Sequence, residues 1–187
     1  MPGAEPAGPG PAVCVTVGVP LGVERRPGDG ETDLGLVRLG ARFWRLPLLA
    51  YELWLSAAAG VPPPHLREWG RDREIEDVDE AVGWLRRRGL LVVLTGGLAA
   101  DGPVLRTCRL VPAASGADLV HLDAMAYAIW CCSDGACSLS SAVDRVAAEH
   151  GTSPASAYEA AWPGLAAILR MGGGRLDEVV AQCSSCP

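Results

Sequence analysis

The pattern of apolar and polar positions divides the chain into short elements. "VCVTV" (13–17) alternates and is rich in β-branched residues, which predicts a strand. "RRPGDGETD" (25–33) reads as a turn, and "LGLVRL" (34–39) as a second strand. "LPLLAYELWLSAAAG" (46–60) predicts a mostly buried helix, with Glu52 and Ser56 as its polar stripe and Gly60 and "PPP" (62–64) as its stop. A short helix is expected around 63–69. In "EDVDEAVGWLRRRG" (76–89), Val78, Ala81, Val82 and Leu85 recur at helical spacing. Acids crowd the first turn of that helix and Arg86, Arg87 and Arg88 its last, as the helix dipole favours. "LLVVL" (90–94) predicts an apolar strand.

The second half follows a similar order. "VLRTCRLV" (104–111) and "DLVHL" (118–122) predict strands, and 123–132 a helix. Leu139, Ala142, Val143, Val146 and Ala147 set a helical period over 138–150, closed by Gly151. Ser153 and Pro154 are an N-cap and first-turn pair for a helix that carries Ala157, Ala161, Leu165 and Ile168. Pro163 predicts a kink or a split in it. "YELW" (51–54) matches "YAIW" (127–130), and "WLRRRG" (84–89) holds the place of "ILRMGG" (168–173). The expectation is an α+β chain of two tandem, diverged winged-helix-like units, each with a small antiparallel sheet and three helices. Their bounds would be 13–96 and 104–182, after a disordered leader (1–12) and before a flexible tail (183–187).

Composition narrows the function classes. All 16 basic residues are arginine, a habit of GC-rich coding, and the net charge of −6 supplies no global field for nucleic acid or an anionic membrane surface. No apolar run approaches the roughly 18–20 residues needed to cross a bilayer. The start, "MPGAEPAGPGPA", lacks the charged-then-apolar order of a signal peptide. The seven cysteines are therefore expected as reduced thiols in the cytoplasm.

"YAIWCCSDGACSLSSAVDRVAAEHG" (127–151) resembles the PqqD-like family, also called RiPP recognition elements, which are small winged-helix domains. Ile129 and Trp130, the turn Asp134–Gly135, and Ser138–Leu139 carry the resemblance, which covers about residues 118–172. The first half fits more loosely, with "AAAGVPPP" in place of the "DG" turn. Members of that family bind the leader of a ribosomally made peptide and present it to a modifying enzyme. The peptide joins the small sheet as a strand beside the third helix. The resemblance therefore implies a peptide- or protein-binding adaptor with no catalytic residue and no cofactor, its partners being a peptide or a modifying enzyme. The groove is expected between the 34–39 strand and the 76–88 helix, with Val37, Arg38, Val82, Trp84 and Arg86 as contacts, or between their counterparts in the second half.

A DNA-binding winged helix is the alternative, with Arg67, Arg71, Arg86, Arg87 and Arg88 as its surface. Against it, "HLREWGRDREIEDVDE" holds nearly as many acids as bases, the composition of a solvated face. Cys131, Cys132 and Cys137, with Cys183 and Cys186 of "CSSCP", have the ligand types of a zinc site. The competing reading makes the first three small apolar fillers of a helix corner, and no metal is expected. His65, His121 and His150 are scattered, no G-x-S-x-G occurs, and with no lysine no phosphate-binding P-loop is possible, so no enzyme is expected.

Overall fold

The computed structural model describes residues 12–25, 33–97, 103–112, 122–133, 137–171 and 173–179. The chain is an α+β protein. Its strands are β1 (Val13–Thr16), β2 (Val19–Glu24), β3 (Leu34–Leu39), β4 (Arg42–Pro47), β5 (Leu91–Leu94), β6 (Cys108–Pro112) and β7 (Gly174–Glu178). Its helices are α1 (Leu48–Ser56), α2 (Pro63–Asp72), α3 (Val78–Arg87), α4 (Pro103–Thr107), α5 (Ala124–Cys132), α6 (Leu139–Glu149) and α7 (Pro154–Arg170). Among the described residues no helix is long and apolar enough to cross a membrane.

Among the described residues three antiparallel sheets form: β1 with β5, the meander β2-β3-β4, and β6 with β7. In each half, the strand before three helices pairs with the strand after them: β1 with β5 across α1–α3, and β6 with β7 across α5–α7. The meander is inserted into the first of these arrangements. The halves are joined by a parallel bridge between Val17 and Leu176, and the Gly18 N–H donates to the Leu176 carbonyl at 2.9 Å. Buried side chains from both halves make one continuous core.

Local chemistry accounts for the helix ends. The side chains of Asp77, Asp123, Ser138 and Ser153 accept the backbone N–H three residues on, satisfying a donor the helix cannot pair itself. Trp54 is fully buried and donates its indole N–H to the Leu90 carbonyl at 2.7 Å, tying α1 to the segment that enters β5. Tyr51 stacks on Trp54, ring centroids 6.0 Å apart.

Several expectations are corrected. Residues 46–47 belong to β4, so the first helix begins at Leu48. The helix expected at 63–69 continues to Asp72. Residues 103–107 are helical, and the strand read over 104–111 starts only at Cys108. In the strand expected at 118–122, residues 118–121 lie outside the described residues, and Leu122 is in no strand. Pro163 sits inside α7 without splitting it. "YELW" and "YAIW" also differ in burial. Tyr51 and Trp54 are buried, whereas Tyr127 is 60 % exposed and Trp130 half-buried. The shared places are instead Leu53 with Ile129, and Ala57 with Ser133, all buried.

Burial of ionisable groups makes the fold sensitive to alkali. Desolvation pushes the Cys108 thiol from 9.0 up to about 11, and raises Cys14 and the Tyr158 hydroxyl in the same direction. Between pH 9 and about 11 the unfolded chain has lost the Cys108 proton that the folded chain still holds. Stability therefore falls across that window, by about 2–3 kcal/mol from Cys108 alone. Urea unfolding at a series of pH values checks this: Cys108→Ala should flatten the fall above pH 9, and an equally steep fall in the variant would refute the assignment.

Candidate functional site

The β3–β4 hairpin turns at Gly40–Ala41, and Gly40 takes a φ of +57°, which a glycine at the first turn position accommodates. In a two-residue hairpin the flanking pair, here Leu39 and Arg42, exchanges both backbone hydrogen bonds. Alternation then assigns bonded pairs to Val37–Trp44 and Gly35–Leu46. The N–H and C=O groups of Phe43 and Arg45 consequently point to the outer edge of β4. No strand among the described residues pairs with that edge.

The side chains on this strand alternate in the opposite sense. Phe43 is 73 % exposed, while Trp44 shares its face with Val37 and Leu46, both fully buried. Arg88, just past α3, reaches across to this face. Its guanidinium lies 5.4 Å from the Trp44 ring centroid and 5.4 Å from that of Trp84. The edge strand and the third helix are thus bridged by an aromatic–arginine–aromatic stack. Such contacts contribute about 0.5–1 kcal/mol each at exposed sites, enough to orient the arginine. The Trp44 indole N–H is buried and meets no acceptor. Along the same stripe of α3, Asp77, Glu80, Ala81 and Trp84 line an open cavity of about 260 Å³.

The expected contact residues are only partly brought together. Val37 is fully buried beneath the meander, so its side chain offers nothing to a ligand. Arg38 lies on the opposite face of β3, paired across strands with Val19 and Phe43. Val82 is half-buried and packs on the core. Trp84 belongs to the stack. Arg86 faces the other side of α3, where it and Arg87 line a groove along β5. The expected groove beside 34–39 is corrected, because β3 is the central strand of the meander and β4 is its edge.

Sequence reading noted Trp44 as near a strand–helix junction but left it, with Phe43 and Arg45, out of the expected groove because it missed β4. A signal was present: "LGLVRL" and "RFWRLP" flank a two-residue "GA", the layout of a tight hairpin.

The five arginines of the alternative surface fall in two groups, Arg67 and Arg71 on α2 and Arg86, Arg87 and Arg88 at the end of α3. Arg67 pairs with Asp79 at 2.6 Å, and Arg71 lines a small cavity with Glu76, Asp77 and Asp79 at the start of α3. Arg86, Arg87 and Arg88 fan out at its far end, Arg88 being held by the two tryptophans.

At the cysteine corner, Cys131 is exposed and Cys132 and Cys137 are half-buried. The Cys137 thiol lies 3.4 Å from the Cys132 carbonyl, and its sulfur accepts from Arg145 at 3.8 Å. Among the described residues no group of three possible ligands could hold a metal ion. Cys183 and Cys186 lie outside the described residues, as does His121. His65 and His150 are both exposed and far apart in sequence.

No family model matches the chain, and no curated protein and no solved structure matches it.

Proposed function

We propose that this chain is a non-enzymatic adaptor that captures an extended peptide as an added strand on the outer edge of β4, beside α3. The observation that carries the reading is the Trp44–Arg88–Trp84 stack, which spans the space between an unpaired sheet edge and the third helix. Strand addition draws its affinity from main-chain hydrogen bonds, here offered by Phe43 and Arg45, and its specificity from side-chain pockets. Strands on both sides of three helices, as β1 and β5 lie around α1–α3, support reading the first half as a winged-helix unit of the PqqD-like kind. On that reading the bound peptide is the leader of a ribosomally made precursor, and the partner is the enzyme that modifies it. The second half, with its strand-helices-strand pairing, is then a diverged copy that lacks the meander among the described residues. This role places the protein in the cytoplasm.

Titration with the leader peptide of a candidate ribosomally made precursor tests the reading. Trp44→Ala and Trp84→Ala should each weaken binding by about tenfold or more, the loss typical of aromatic anchors at the centre of an interface. Unchanged affinity in both variants, with folding intact by circular dichroism, would refute it.

A further inference from the structure

The side of α3 away from Trp44 faces a second unpaired sheet edge. The Cys14 N–H donates to the Val61 carbonyl, and the Cys14 carbonyl accepts from the Val61 N–H, at 2.7 and 3.0 Å. Both groups of Cys14 therefore point away from β5, and the Cys14–Val93 pair is a non-bonded one. The bonded pairs of this ladder are Val13–Leu94 and Val15–Val92. It follows that the N–H and C=O groups of Leu91 and Val93 point outward from β5, where no strand among the described residues meets them; Leu91 is 1 % exposed, so the open groups are those of half-buried Val93.

That edge forms one wall of an open groove of about 470 Å³, with Leu91, Val92 and Val93 facing Gly83, Arg86 and Arg87 of α3. Gly83 keeps the helix wall low: a Cβ there would meet only the tip of the Arg87 side chain, at 3.3 Å. Arg86 and Arg87 are exposed and pair with no carboxylate among the described residues. In a chain of net charge −6, two adjacent arginines without a carboxylate partner among the described residues make a local positive site beside β5.

We propose that this groove docks an extended acidic segment of a partner protein. The segment adds to β5 through the backbone of Val93 and sets its carboxylates against Arg86 and Arg87. Charge complementarity selects an acidic strand, and the short run of edge groups limits the contact to a few residues. The site is distinct from the β4 edge and does not rest on the peptide reading given above. An adaptor with both edges occupied would hold two chains on opposite sides of one helix.

The test uses the full chain with a short synthetic peptide of alternating Glu and Thr, its Gln-for-Glu counterpart, and a single-stranded oligonucleotide. Amide shifts are followed by NMR and affinity by fluorescence anisotropy. The acidic peptide should shift the amide of Val93 and bind at least about tenfold more tightly than the Gln peptide. An Arg86→Glu/Arg87→Glu double variant, changed only at exposed positions, should lose that preference. Trp44→Ala should retain it, which separates failure here from failure of the β4 reading. Equal binding of the Gln peptide, or shifts confined to other strands, would overturn the proposal. Tighter binding of the oligonucleotide at the same amide would overturn it in favour of nucleic acid. Self-association of the free chain abolished by the double variant would overturn it in favour of a second copy.

Discussion

Gly35→Ala is expected to destabilise the fold by about 3 kcal/mol, the upper end for inserting a single methyl into a packed interior. Gly35 lies on the central strand of the meander, opposite Leu46 on β4 and Val23 on β2. An added Cβ would overlap the Cβ, Cγ and Cδ2 atoms of Tyr51 on α1. The ring cannot step aside freely, because it is buried and stacked on Trp54, whose own indole is pinned to the Leu90 carbonyl. The missing side chain is thus what lets α1 lie close on the meander and set the face on which Trp44 sits. A double-mutant cycle isolates this contact. Tyr51→Ala alone should cost about 3 kcal/mol for the cavity it leaves. In that background Gly35→Ala should cost little, since the methyl then enters vacated space. Urea unfolding followed by tryptophan fluorescence gives all four values, and simple additivity would show that the two residues do not constrain each other.

The second large effect is expected at Asp177. This carboxylate is 2 % exposed, in the strand that closes the second half. One oxygen accepts the N–H of Gly40 at 3.1 Å and that of Glu178 at 2.9 Å, and the other accepts from Arg109 at 3.1 Å. It thereby fastens the β3–β4 turn of the first half to the β6–β7 pair. Asp177→Ala should cost about 3 kcal/mol, because it removes the buried partner of the Arg109 guanidinium and leaves the buried Gly40 N–H without its acceptor. Asp177→Asn, which keeps an acceptor for the Gly40 N–H and loses only the charge pair, should cost less. The neighbouring Arg42–Glu178 pair, at 2.8 Å, is well exposed on the arginine side. Its removal by Arg42→Ala should stay within about 1 kcal/mol. Chemical denaturation ranks the three variants. Equal losses for Asp177→Ala and Arg42→Ala would mean that the buried clamp does not join the halves as described.

What the sequence made legible follows from how local each signal is. The helices α3, α6 and α7 were readable because a cap residue and a 3.6-residue period both lie within the segment itself: Asp77 with Val78, Val82 and Leu85, or Ser138 with Leu139, Ala142 and Val143. The strands β2, β4 and β7 were not readable, since each breaks the apolar alternation that marks a half-buried strand. β2 contains Pro20 and Gly22, takes an irregularity between them, and is mostly exposed. β4 carries two arginines, and its apolar Phe43 points to solvent. β7 buries an aspartate, a choice that makes sense only beside Arg109 and Gly40 from distant parts of the chain. Such edge strands are specified by their partners rather than by propensity. The candidate site inherited this limit. Trp84 and Arg88 were placed on the right helix, but Trp44 was absent from the expected groove because its strand was absent. Val37 was included because the central strand was taken for the edge. The "YELW" and "YAIW" matches carried less meaning than their letters suggested, for only Leu53 and Ile129 hold the same buried place.

The central claim, that an extended peptide adds to the outer edge of β4 beside α3, is tested most directly by NMR titration of the labelled chain with the leader peptide of a candidate precursor. The account predicts saturable shifts of the Phe43 and Arg45 amides and of the Trp44 indole N–H, with the Gly35 and Leu46 amides little changed. Binding that leaves those three signals in place, or no binding at concentrations where adaptor and leader would meet, would contradict it.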